Sequence, residues 1–142
     1  MAGKAEVRAF VDSNVIFSGL HSGQGAPAAM LEQAVEGKFT MVISRQVLDE
    51  VVRTLAAKLP AALPALHTLF SNMPLEVCED PAPSLVEEWS GVVGADDAPI
   101  AAAASAAEVD LLVSGDSHFL KAAKEALKKG LRIVSPAGFI SL

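Results

Sequence analysis

The chain has 142 residues, 11 Lys and Arg against 17 Asp and Glu, a formal net charge of -6, and 51% hydrophobic residues. These figures exclude a disordered tail and a basic nucleic-acid clamp; against a norm of roughly 100 to 200 residues per domain, they fit a single domain over residues 1–142 with its core from about residue 7 onward. The summed field repels phosphates, so a nucleic-acid partner would need a local patch or a metal to bind.

Val7 to Val11 is a short apolar run closed by Asp12, the pattern of a buried strand ending at a polar site, with a loop or helix start at Ser13 and Asn14. Gly19 to Gly25 predicts a turn-rich, mobile connection, and Ala26 to Glu36 resumes helical spacing before Gly37. A second strand, Phe39 to Ile43, runs into Ser44, whose hydroxyl suits the N-cap of a helix reaching Lys58. Pro60 and Pro64 punctuate a further helix ending near Asn72, and Leu75 to Cys78 is a third strand. Pro81 and Pro83 introduce a helix through Trp89 and Val92 that Gly94 stops. Asp97 to Ala107 is an alanine-dominated helix with Pro99 in its first turn, where the missing N–H does no harm. Leu111 to Val113, Phe119 to Lys129 and Leu131 to Val134 supply a strand, a helix and a last strand. This alternation predicts an α/β fold in three layers, with a mostly parallel five-stranded sheet covered on both faces. The small side chains of the alanine helix would let it sit close against the sheet, at its centre.

Cys78 is the one cysteine, so no intrachain disulfide can form, and a reducing compartment such as the cytoplasm is the simple expectation. Met1 to Glu6 is short and polar, without the apolar core of a signal peptide, and no run approaches the ~18 apolar residues of a membrane span. His21, His67 and His118 are scattered without ligand spacing, which favours surface or capping roles.

Four acids fall at strand ends or just inside the following helix: Asp12, Glu50, Asp97 and Asp116. In a parallel sheet the carboxyl ends of the strands converge on one crevice, so four carboxylates from four segments could meet there. Two unit charges ~4 Å apart repel by about 4 kcal/mol even at an effective dielectric near 20. Such a cluster calls for cations, and hard divalent ions, Mg²⁺ or Mn²⁺, select carboxylate oxygen. Between Asp49 and Glu50 the helical wheel decides: at about 100° per residue, Val47, Leu48, Val51 and Leu55 share one arc, Glu50 borders it beside Thr54, and Asp49 points to solvent. Between Asp96 and Asp97 the choice stays open, since one can cap the helix while the other binds metal.

Together, Val11-Asp12-Ser13-Asn14-Val15, Ser44 with Glu50, Asp97-Ala-Pro-Ile-Ala and Val113-Ser-Gly-Asp116 resemble the PIN-domain family of metal-dependent ribonucleases, in order and spacing, from about Arg8 to Leu142. The closing Ile133-Val-Ser-Pro-Ala-Gly-Phe139 is similar to the final strand and tail of the branch that contains toxins of toxin–antitoxin pairs. The resemblance implies a site with one or two Mg²⁺ or Mn²⁺ ions and hydrolysis of RNA phosphodiester bonds. It makes Asp12, Glu50, Asp97 and Asp116 the metal-binding acids, with Asn14, Ser44 and Ser114 as polar supports. It also implies a small antitoxin partner and a homodimer. The chain departs from the pattern at His118, where many members carry another acid, which puts a second metal site in doubt; His118 could donate a proton to the leaving group or be a solvated loop residue.

Each acid has a plainer reading alone: Asp12 and Asp97 as helix caps, Glu50 as an amphipathic border residue, Asp116 as a turn former. Jointly those readings require four coincidences at strand-to-helix junctions. Lys121, Lys124, Lys128, Lys129 and Arg132 form the main basic concentration, which reads as a solvated helix face ahead of a phosphate track. Trp89 and the phenylalanines read as core. Two other functions fit parts of the pattern. An aspartyl-phosphate phosphatase would open with an Asp like Asp12, but the position two residues on is Asn14, which cannot handle a proton. A PIN-like binding module without catalysis would gain by losing mutually repelling acids, and this chain keeps them.

Overall fold

The computed structural model describes residues 7–142; the polar reading of Met1 to Glu6 lies outside the described residues. Five strands, β1 (Arg8–Val11), β2 (Thr40–Ser44), β3 (Leu75–Cys78), β4 (Leu111–Val113) and β5 (Ile133–Val134), form one sheet in the order β3-β2-β1-β4-β5. Every pairing is parallel, with Phe10 opposite Val42 on one side and Leu112 on the other. The three inner strands are apolar on both faces because helices cover both: Phe10, Val11, Met41, Val42, Ile43, Leu112 and Val113 are all fully buried. The chain winds outward from β1 through β2 to β3, then returns to the other side of β1 for β4 and β5. Since parallel crossovers are right-handed, this reversal puts the helices before β3 on one face and those after it on the other. The result is the three-layer α/β/α arrangement that the alternation predicts.

The first face carries α1 (Ser13–Ser22), α2 (Gly25–Val35), α3 (Arg45–Lys58) and α4 (Leu63–Ser71), with a short 3-10 turn at Pro60–Ala62. The second carries α5 (Pro83–Val93), α6 (Ala98–Ala106), α7 (Ser117–Lys121) and α8 (Ala123–Lys128), and α9 (Pro136–Ile140) closes the chain against α2 and β5. Ala101 to Ala104 of α6 are buried, which is the central position their small side chains permit.

Three local expectations need correction. Gly19 to Ser22 is the end of α1, not part of a mobile loop: a Cβ on Gly19 would lie 2.6 Å from Leu31 Cδ1, so this glycine lets α1 and α2 approach closely. The turn itself is made by Gly23 and Gly25, at φ 70° and 88°. The expected helix from Phe119 to Lys129 is two helices, α7 and α8, separated at Ala122, whose N–H is shared between the carbonyls of His118 and Phe119. Beyond β5, Ser135 and Pro136 start α9: the Ser135 hydroxyl accepts from Gly138 N at 3.0 Å.

Candidate metal centre

The reversal of strand order falls between β1 and β4, which leaves a crevice beyond their carboxyl ends. Asp12 follows β1 directly, and its N–H donates to Val113 O at 3.0 Å as a continuation of the sheet ladder. The carboxylate is almost fully buried, at 7% exposure. Its Oδ1 accepts from Ser13 N at 2.8 Å, capping α1, while Oδ2 accepts from the buried Ser114 hydroxyl at 2.8 Å and from Asn14 Nδ2 at 3.3 Å. Asn14 Oδ1 in turn accepts from Gly115 N at 3.2 Å, and the Ser114 oxygen accepts from Asp116 N at 3.0 Å. These bonds tie the segments after β1 and β4 to each other and fix Asp12, Ser114 and Asp116 as one unit.

Burial pushes the Asp12 carboxyl up to about 6, because a charge loses its hydration there. The bonds from Ser114 and Ser13 pull it down in part, and the negative charges of Glu50 and Asp116 push it up further. Asp97 is also raised, first by partial burial and then by the charge of Asp116, with His118 acting in the opposite direction. Buried or half-buried carboxyls raised by neighbouring negative charge, as Asp12 and Asp97 are, fit a bound cation, which would reverse the repulsion.

Among the described residues, Asp97, Asp116 and His118 can each place one ligand atom within 4.8 Å of the others. Asp97 starts α6 but makes no capping bond with its side chain, so the plain cap reading does not describe it. Asp96 is exposed and Asp97 half-buried. Asp116 does cap α7, through His118 N at 2.8 Å, and still faces Asp97 and Asp12. Glu50 is half-buried and Asp49 exposed, as the helical wheel requires; Glu50 acts on Asp12 through its charge and lies outside the Asp97 grouping. Ser44 is fully buried and caps α3 through Val47 N at 3.2 Å, so it sets the direction of the helix that carries Glu50. His118 is in the first turn of α7 and not in a loop, with a side chain 79% exposed.

One acid at the same edge of the sheet has no place in the sequence reading. Asp80, just past β3, accepts from Gln46 N at 3.0 Å and so braces the start of α3 alongside Ser44. Its signal, an acid shortly after a strand, is the one that picks out Asp12 and Asp116. Strand-end position alone therefore does not separate an acid that only braces a helix from one that faces the crevice.

A family model described as the PIN domain matches residues 8–118. No curated protein matches the sequence. Among solved structures, VapBC2 from Rickettsia felis bound to a promoter DNA fragment aligns at 19% identity and TM-score 0.65, over 91% of this chain and 98% of that one. PAE2754 from Pyrobaculum aerophilum aligns at 21% identity and TM-score 0.63, over 95% of this chain and 93% of that one. FitAcB from Neisseria gonorrhoeae aligns at 19% identity and TM-score 0.58, over 90% of this chain and 97% of that one. At such identities the likeness establishes the fold.

Proposed function

Because the chain belongs to the PIN-domain family, we propose that it is a metal-dependent endoribonuclease and the toxin of a toxin–antitoxin pair. The observation that carries this reading is Asp116 beyond the carboxyl ends of β1 and β4, where its charge acts on Asp12 and on Asp97, with Glu50 also acting on Asp12. Asp12, Asp97 and Asp116 would hold the ion, Mg²⁺ or Mn²⁺, and Glu50 adds the fourth negative charge. A divalent ion so held supplies Lewis acidity toward a phosphate oxygen and acidifies bound water. The side chains do the rest. Ser114 and Ser13 hold the Asp12 carboxylate at a fixed orientation by donating to different oxygens. Asn14 locks the Gly115 backbone, which keeps Asp116 in register with Asp12. The protonated fraction of Asp12 should weaken ion binding as the pH falls toward 6.

A protein partner also has a place to sit. Leu20, Leu31, Val35, Ala65 and Leu69 line an apolar groove of about 810 Å³ between α1, α2 and α4, with Glu32 and Glu36 in the same lining. An amphipathic antitoxin segment with basic flanks would complement it. Among the described residues, no helix is long and apolar enough to cross a membrane.

The test is cleavage of RNA by the purified chain with added Mg²⁺ or Mn²⁺. The expected result is cleavage that stops with chelator and is lost in Asp97→Asn. Equal cleavage by that variant would place the activity elsewhere or in a contaminant.

A further inference from the structure

His118 stands at the rim of the acidic crevice, next to Asp116 and Asp97. The bond from its own N–H to Asp116 Oδ1, at 2.8 Å, fixes the start of α7 so that the imidazole Nδ1 lies 3.8 Å from the same oxygen. From the other side, Asp96, Asp97 and His118 line one small cavity of about 270 Å³ with Val93, Gly94 and Ala95. Two ligands on one ion at ~2.1 Å each are separated by roughly 3 to 4.2 Å, depending on the angle between them. The ligand atoms of Asp97, Asp116 and His118 lie within 4.8 Å of one another, so small side-chain rotations close the difference. The imidazole is largely exposed, and no packing prevents such a movement.

We propose that His118 is a nitrogen ligand, completing with Asp97 and Asp116 a mixed oxygen and nitrogen site that selects a first-row transition ion such as Mn²⁺ over Mg²⁺. The inference rests on the reading that these carboxylates hold a divalent ion, and it adds which ion and through which atom. Mg²⁺ prefers an all-oxygen shell and keeps its waters, whereas imidazole suits borderline ions. An acid at this position would leave the set open to Mg²⁺; histidine shifts the preference.

The experiment uses Mn²⁺ on the full chain stripped of metal, followed by electron paramagnetic resonance. Loss of the free-ion signal measures affinity, and spin-echo modulation from ¹⁴N reports a nitrogen ligand. The wild-type protein should show ¹⁴N modulation that disappears in both His118→Ala and His118→Asn, with Mn²⁺ affinity falling about tenfold or more. In His118→Asp, Mg²⁺ should compete for the bound Mn²⁺ more effectively than in the wild type. His21→Asn and His67→Asn should change neither readout. Mn²⁺ binding without ¹⁴N modulation, or modulation that survives in His118→Ala, overturns the ligand assignment and leaves the carboxylate site standing. Failure of the wild type to bind either ion overturns the underlying reading together with the assignment.

Discussion

Asp12 shows how a site residue can work against the fold that holds it. Its carboxyl has a pKa of about 6 in the folded chain against an ordinary 3.8, so between those values the folded state holds the proton more tightly than the unfolded one. The stability this contributes is complete below the unfolded value and is lost as the pH rises through about 6, a difference on the order of 3 kcal/mol. Above that pH the metal-free protein carries a buried charge that two hydroxyl or amide donors and one backbone N–H only partly compensate. Asp12→Asn removes the charge while leaving an oxygen to accept from Ser114. In chelator at pH 8 the variant should melt several degrees higher than the wild type, and at pH 4 the two should nearly coincide. Saturating Mn²⁺ should raise the wild type and leave the variant little changed. A variant that melts below the wild type at pH 8 would mean that the bonds to Asp12 outweigh the cost of its charge.

At the scale of elements, glycine separates two situations that residue type alone does not. Gly19 is inside α1, where a Cβ would meet Leu31 Cγ at 3.0 Å and the Pro27 carbonyl oxygen at 3.0 Å. Gly91 is inside α5 with nothing within 4 Å of the same position. Gly19→Val should therefore destabilise the protein by ~1–3 kcal/mol through overpacking, while Gly91→Ala should stabilise it by ~0.5–1 kcal/mol through helix propensity. Denaturant midpoints measure both, and equal effects of the two changes would remove the packing role given to Gly19. The same contrast explains how far the sequence was legible. The strand Leu111–Val113 could be read to the residue because a short, fully apolar run between polar stops suits a covered parallel sheet. Gly19 could not, because a glycine that permits helix contact looks like one that makes a turn until its neighbour Leu31 is placed. The break at Ala122 carries no Pro or Gly, and the start of α9 at Ser135 and Pro136 was a capping signal hidden in a tail of only five helical residues. Among the acids, the approach of Asp116 to both Asp12 and Asp97 depends on the strand order, which the sequence pattern did not specify. The grouping of His118 with the acids depends in turn on the first turn of α7, which begins two residues before the apolar Phe119 that marks a helix in the sequence.

For the whole molecule, the net charge of -6 sets the condition for any contact with RNA. The basic side chains do little to offset it. Arg8 pairs with Glu76, Lys38 with Glu36, Arg45 with Glu79, Lys128 with Glu125, and Lys129 with Glu88 while lying over the Trp89 ring. Each pair contributes little to stability at an exposed position, but each also cancels part of the local positive field that a phosphate would meet. At the crevice the carboxylates make the field strongly negative, and a divalent ion would reverse its sign at the point where a phosphate must sit. The proposed RNA complex should then depend on metal far more than on lysine contacts. Five cationic groups acting as a phosphate track would give a slope of log affinity against log salt near −3.5, from ~0.7 per contact on a single strand. Filter retention of a single-stranded RNA, measured before cleavage proceeds, should show no specific binding in chelator. With Mn²⁺ it should show binding whose salt slope is shallower than about −2. Charge reversal at Lys121 and Lys124 should change that affinity less than twofold to threefold, on the scale of weak exposed charges. Metal-independent retention with a steep slope would instead assign RNA binding to the basic face of α7 and α8, and the acidic crevice would then act only after the RNA is already held.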